Sequence, residues 1–183
     1  ERVSSICVGA DFVFGHNRSG DVKLLQQLGQ NLNYITHGLA SVSLDGQTVS
    51  STRIREAISA GQLDAAGQML GREYALCGIV IQGDQQGRQL GFPTANLDTT
   101  GLCTPPHGVY AAHAEINEQP HRAVVNIGLR PTLKDPQPSL PVEAHLLDFE
   151  DDLYEQTCNL TFVGKLREEE EFESMDALKL QIE

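Results

Sequence analysis

The residues best placed to do chemistry fall in four short stretches, and the densest is Gly83-Asp84-Gln85-Gln86-Gly87-Arg88-Gln89-Leu90-Gly91-Phe92-Pro93-Thr94-Ala95-Asn96. Glycines at 83, 87 and 91 let backbone amides approach an anion with no side chain in the way. Thr94 and Asn96 then add a hydroxyl and a carboxamide oxygen, ligands that a hard cation such as magnesium accepts. Spaced glycines also make ordinary hairpin turns, so these residue types leave a phosphate-and-metal loop and a plain turn both open. A second stretch sets Glu143 and His145 two residues apart, hence on one face of a strand. They could be a proton-transfer pair or a solvated strand face. The third, Gly9-Ala10-Asp11-Phe12-Val13-Phe14-Gly15 with Arg18 and Gly20 following, holds a carboxylate and an arginine in a glycine-bounded loop after a strand, where open α/β sheets bind ligands. The fourth, Ser50-Ser51-Thr52-Arg53-Ile54-Arg55, gathers hydroxyls and guanidinium groups at a helix start, an anion site or simply a cap.

The elements that must position these groups change character near residue 71. Before it the pattern is α/β. Val3 to Val8 is an apolar run suited to a buried strand. Asp21 can cap a helix carrying Val22, Leu24, Leu25 and Leu28, with Gly29 expected to stop it. A strand over 32–36 and a turn at Asp45-Gly46 follow. Ser51 or Thr52 can cap a helix with Ile54 and Ile58 on one face, ending near Gly61. Leu63, Ala66 and Leu70 form a further helical stripe closed by Gly71. From Arg72 onward the pattern alternates instead. Cys77, Ile79 and Ile81 share one strand face, and further strands are expected over 109–116, 122–127, 142–149 and 159–163. They are separated by turns at 105–108, 117–118, 128–131 and 136–141. Many short strands parted by turns predict a small antiparallel barrel. Ser174 then caps an amphipathic helix with Met175, Leu178 and Ile182. The chain ends within that helix and starts without Met against a strand-like run, so the sequence reads as a piece of something longer.

Composition narrows the partners. The 183 residues can hold one large domain or two small ones, and an apolar share of 40% supports a packed core. A net charge of −12 disfavours nucleic acid and anionic membrane. An anionic substrate therefore needs local help from a metal, a glycine loop or a few basic residues. The acidic run Glu168 to Glu171 reads as a solvated face. Cys7, Cys77, Cys103 and Cys158 are scattered without metal spacing, which predicts free thiols in a reducing compartment. With no signal peptide or long apolar span, a cytoplasmic protein is expected.

The glycine-rich stretch reads GxxxGRxLGFPTAN and resembles the nucleotide loop of the riboflavin kinase family. Four further blocks resemble that family in its order: Asn126-Ile127-Gly128-Leu129-Arg130-Pro131-Thr132 (NIGxRPT), Val142-Glu143-Ala144-His145-Leu146-Leu147-Asp148-Phe149 (VExHLLDF), Asp152-Leu153-Tyr154 (DLY), and Arg167-x-Glu169-x-x-Phe172 (RxExxF). Glu171 departs from the basic or polar residue that relatives often carry before the Phe. In the N-terminal part, GxDFxFG and SSTxIR are similar to motifs of bacterial FMN adenylyltransferase modules. Together the blocks resemble the bifunctional riboflavin kinase/FAD synthetase of bacteria.

The resemblance implies a fold and a division of labour. Residues 1–71 would be the C-terminal part of a Rossmann-like nucleotidyltransferase domain. Residues 72–183 would be a six-stranded, Greek-key antiparallel β-barrel kinase domain with a C-terminal helix. The implied reaction is phosphoryl transfer from ATP-Mg to the ribityl 5′-hydroxyl of riboflavin, giving FMN. Gly83, Gly87 and Gly91 would wrap the phosphates, with Arg88 bracing the turn. Thr94 and Asn96 would hold the magnesium, Glu143 would be the base, and Asn126 and Arg167 would stand on the flavin side. Asp11 would lie near an adenylyl-transfer site whose ATP phosphates Ser51, Thr52 and Arg55 hold. The histidine motif (HxGH) that opens that family's first strand has no counterpart in the sequence, and His16 and His37 do not match it. Kinase activity is therefore the expectation, and adenylyl transfer by this chain alone is not. The competing classes are a flavin- or nucleotide-binding barrel without turnover and a structural module that binds neither ligand.

Overall fold

A computed structural model describes residues 3–83, 87, 91–128, 141–149 and 151–170. Arg88, the Leu129-Arg130-Pro131-Thr132 part of the NIGxRPT block, Glu171 and the helix expected from Ser174 lie outside the described residues. The chain divides into two compact units, residues 1–50 and 51–183.

In the first unit, β1 (Ser5–Gly9) and β2 (Ile35–Leu39) pair in parallel, joined by α1 (Val22–Leu32). This is a βαβ unit, as parallel pairing with a helical crossover requires. The Asp21 side chain accepts a hydrogen bond from the Leu24 amide at 2.8 Å and caps α1 as expected. Gly29 does not stop the helix. It is buried inside it, where a Cβ would stand 2.5 Å from the Tyr34 carbonyl oxygen, and left-handed Asn33 ends the helix instead. Because the helix runs to Leu32, the next strand begins at Ile35 rather than at residue 32. Asp45 and Gly46, both with positive φ, turn the two-residue strands β3 (Ser43–Leu44) and β4 (Gln47–Thr48) into a hairpin.

The second unit opens with α2 (Ser51–Ser59) and α3 (Leu63–Leu70), the latter closed by left-handed Gly71. Six strands follow: β5 (Ala75–Ile81), β6 (Ala95–Leu97), β7 (Gly108–Ile116), β8 (Gln119–Ile127), β9 (Val142–Leu146) and β10 (Thr157–Arg167). They close into an antiparallel barrel in the order β10-β5-β6-β9-β8-β7. Within it β10 returns beside β7, so β10-β7-β8-β9 is a Greek key. Closure removes every free strand edge. Inward-facing Leu76, Val80, Tyr110, Val125, Ile127, Val142, Leu160 and Phe162 fill the core.

The sixth strand, β6, is the last two residues of the Pro-Thr-Ala-Asn block and Leu97, too short and too fully buried to show alternation. Both α2 and α3 fall in the second compact unit with the barrel. Their core residues Ala57, Ile58 and Ala66 pack with Ile54, Met69, Tyr74 and Cys103. The Tyr74 hydroxyl donates to the Cys103 carbonyl, while its ring stacks on Phe162 with centroids 6.1 Å apart.

Candidate active site

In an antiparallel sheet, residues directly opposite one another share a face at roughly 5 Å per step. Glu143 on β9 lies opposite Asn96 on β6 and opposite Asn126 on β8. Asn126 in turn faces Val109 on β7, and Val109 faces Arg167 on β10. Four residues singled out from sequence, Asn96, Glu143, Asn126 and Arg167, thus lie along one row around the outside of the barrel. Their strand neighbours Ala95, Ala144 and Val142, Val125 and Ile127 point inward and are buried. Alternation turns Glu143 and Asn126 outward on β9 and β8, whereas pairing across the ladder places Asn96 on β6 and, past a register shift after Lys165, Arg167 on β10. Asn96 is nonetheless only 7% exposed, and Glu143, Asn126 and Arg167 are half-buried. Asn96, Glu143 and Arg167 each take part in a polar interaction.

The glycines cover one end of this row. A Cβ on Gly83 would run into the Asn96 carboxamide and stand 2.6 Å from its Oδ1. One on Gly87 would collide with the Phe92 carbonyl and stand 3.3 Å from the Thr94 hydroxyl. The spacing four residues apart thus serves two close approaches, one onto each expected metal ligand, and the Phe92 amide closes the turn on the Gly87 carbonyl at 2.9 Å. Gly91 has φ +89 and provides the left-handed bend between them. At the row's other end, a Cβ on Gly128 would stand 2.7 Å from Glu169 Oε1 and 3.3 Å from Asn126 Nδ2. The Arg167 guanidinium donates to the Glu168 carbonyl at 3.0 Å. Lys165 pairs with Glu168 at 2.6 Å, and this hydrogen bond holds the Glu168 carboxyl below its ordinary range.

Beside Thr94 the barrel mouth opens into a cavity of about 350 Å³. Its floor is the inward-facing Val80, Ala95, Ala144 and Leu146, and its far wall is Phe149 and Asp151 to Tyr154. The wall is anchored: Val80 and residues 155–156 exchange backbone hydrogen bonds at 2.9 Å, and the Tyr154 amide donates to the Asp152 carboxylate at 3.0 Å. Thr94 thus borders both the cavity and the row. An apolar floor with a few polar groups at the rim, in this size range, is usual for a small-molecule pocket.

Sequence reading missed three features. The cavity wall was matched as a motif with no role, and Glu169, in the RxExxF block, had no expected place beside Asn126. His145, expected to share the Glu143 face, bonds through Nδ1 to the Pro93 carbonyl at 2.8 Å. No signal short of tertiary contact points to that bond.

The residues expected in an adenylyl-transfer site divide between the units. Asp11 follows β1, and a Cβ on Gly9 would stand 2.8 Å from its carboxylate. Ser51, Thr52 and Arg55 lie on the first turns of α2. Arg55 and Ser59 meet the Cys103 sulfur, through the Arg55 carbonyl and the Ser59 hydroxyl, each at 3.7 Å.

As a metal site, Thr94 and Asn96 supply two neutral oxygen donors, which suits magnesium arriving with phosphate oxygens and water. Among the described residues no group of three or more His, Cys, Asp or Glu could hold a metal by itself.

Two family models match separate parts of the chain. The sequence model of the riboflavin kinase family matches residues 70–183, and that of FAD synthetase matches residues 1–53. The bifunctional riboflavin kinase/FMN adenylyltransferase of Pseudomonas fluorescens is 42% identical over 180 residues, covering 98% of this chain. That of Escherichia coli K12 is 39% identical over 182 residues, covering 99%. The chain spans 58% of the length of each of these relatives. A crystal structure described as a macrolide-efflux protein from Streptococcus pneumoniae superposes with a TM-score of 0.73 at 30% identity, over 95% of this chain and 56% of that one. Among the described residues no helix is long and apolar enough to cross a membrane. With the kinase family's model matched across the whole barrel, this chain belongs to the riboflavin kinase family.

Proposed function

We propose that this chain transfers the γ-phosphoryl group of ATP-Mg to the ribityl 5′-hydroxyl of riboflavin, forming FMN and ADP. The observation that carries this is the row in which Asn96, Glu143 and Asn126 occupy neighbouring strands, with the Gly83 backbone pressed against the Asn96 end. Phosphoryl transfer asks a protein for alignment and charge neutralisation more than for covalent chemistry. ATP places its nucleoside in the cavity beside Thr94 and its phosphates against the backbone amides of the glycine loop. Thr94 and Asn96 would hold the magnesium that travels with ATP, which would offset the phosphate charge. Glu143 accepts the proton of the 5′-hydroxyl as that oxygen bonds to the γ-phosphorus and the bond to the β–γ bridging oxygen breaks. Asn126 and Arg167, further along the row, bind and orient the flavin. A local site of this kind answers the net charge of −12, which otherwise repels ATP.

The names of the relatives and the FAD synthetase match support a second role in the longer protein. There Asp11, Ser51, Thr52 and Arg55 would belong to a site that adenylylates FMN to FAD. Residues 1–71 would serve that activity and 72–183 the kinase, in the cytoplasm.

The test is riboflavin-dependent FMN formation by this chain. Wild type should turn over, and Glu143→Gln should still bind riboflavin and ATP while turnover falls by about two orders of magnitude. Near-normal turnover in Glu143→Gln would remove it as the base. Binding of both ligands with no turnover in wild type would make the barrel a binding module.

A further inference from the structure

The described backbone ladder between β6 and β9 ends at the pair Ala95 and Ala144. One residue further, Thr94 and Pro93 must still be held if the Thr94 hydroxyl is to keep its place. Proline has no N–H, so Pro93 cannot donate to a partner strand, and its carbonyl is its only backbone polar group. That carbonyl accepts from His145 Nδ1 at 2.8 Å. Because a carbonyl oxygen only accepts, Nδ1 carries the hydrogen. The same imidazole meets the Phe92 ring edge-on, with centroids 5.7 Å apart at 84°. Phe92 in turn closes the loop through its amide on Gly87, the glycine that lies against Thr94.

We propose that His145 is a positioning residue for ATP: it fastens the C-terminal stem of the glycine loop to the strand that carries Glu143. The strand alternation that turns Glu143 outward turns His145 outward too, so a single strand sets both the proposed base and the phosphate loop. The latch is a side-chain hydrogen bond standing in for a ladder bond that proline forbids, with an aromatic contact that fixes the ring. Its effect falls on Thr94 and the phosphates, at the end of the row away from Arg167. The inference rests on the kinase reading for its kinetic arm only.

Three variants and one spectroscopic measurement test it. His145→Phe keeps a ring against Phe92 and removes the donor; His145→Ala removes both. His145→Asn restores an amide donor near the Nδ1 position. In FMN-formation kinetics, His145→Phe and His145→Ala should raise the KM for ATP-Mg about five- to tenfold, as expected for the loss of one or two modest contacts. The KM for riboflavin should stay within about twofold, and His145→Asn should recover most of the ATP effect. An equal rise in both KM values, or no recovery by His145→Asn in a protein that melts like wild type, would overturn the proposal. Independently of activity and of any variant's folding, 15N NMR of the wild-type imidazole should show the neutral ring protonated on Nδ1. An Nε2-protonated tautomer would overturn the latch. If wild type makes no FMN but the ring is Nδ1-protonated and His145→Phe weakens ATP-Mg binding, the kinase reading fails and the latch stands.

Discussion

Gly83 shows how a residue without a side chain can define a site. Its missing Cβ is the space that the Asn96 carboxamide occupies. Substituting alanine would add only one methyl group to a surface loop, where most changes cost within about 0.5 kcal/mol of stability. Here the carboxamide must swing off the row instead. Gly83→Ala should therefore melt within a few degrees of wild type and lose at least about tenfold in kcat/KM for ATP, because a displaced ligand is felt in the transition state more than in folding. Unchanged kinetics with the methyl group accommodated would show that the Asn96 position is immaterial. Glu143 and His145 differ from Gly83 in kind, since their strand alternation alone gave them a shared face.

At the scale of elements, the docking of α2 and α3 on the barrel depends on Tyr74 at the junction. Its ring stacks on Phe162 of β10, and its hydroxyl bonds the Cys103 carbonyl in the loop that the two helices cover. Tyr74→Phe keeps the stack and leaves that carbonyl without its partner, so it should cost about 1 kcal/mol in denaturant unfolding with little change in the slope. No measurable cost would mean that apolar packing alone holds the helices. The strand β5 illustrates the opposite limit of element-level reading. Cys77, Ile79 and Ile81 do share a face, but it is the outer one; Leu76, Gly78 and Val80 are the buried set, and at 78 a Cβ would stand 2.6 Å from the Asp98 carbonyl.

For the molecule as a whole, Cys158 and Tyr74 are two of the groups through which burial links stability to alkaline pH. Burial, with Cys77 nearby, pushes the Cys158 thiol from its ordinary 9.0 up to about 11. Burial, aided by Cys103 and opposed by Arg72, pushes the Tyr74 hydroxyl from 10.0 up to about 12. Unfolded, each loses its proton at the ordinary value; folded, each keeps it, so between these limits the unfolded chain binds fewer protons. Their contribution is complete below about pH 9 and declines as pH rises through about 11 to 12. The melting temperature should therefore fall from about pH 9 upward, more steeply in wild type than in Tyr74→Phe. A flat profile to about pH 11 would refute the assignment.

The sequence by itself determined the order of parts: a βαβ pattern, two helical stripes, alternating strands, and the residue types at Thr94, Asn96, Glu143, Asn126 and Arg167. Turn residues, caps and alternation are local, and local physics acts on neighbours in the chain, so they can be read directly. Register is not local. Nothing between residues 96 and 143 announces that these two face each other across β6 and β9, or that Asn126 stands on Glu143's other side. Three buried residues too short to alternate hid β6, and proline's missing donor hid the need for His145. Barrel closure decided those matters. It aligned the outward face of four strands into one row and pressed glycine backbone onto Asn96, turning a string of spaced glycines into a shaped site.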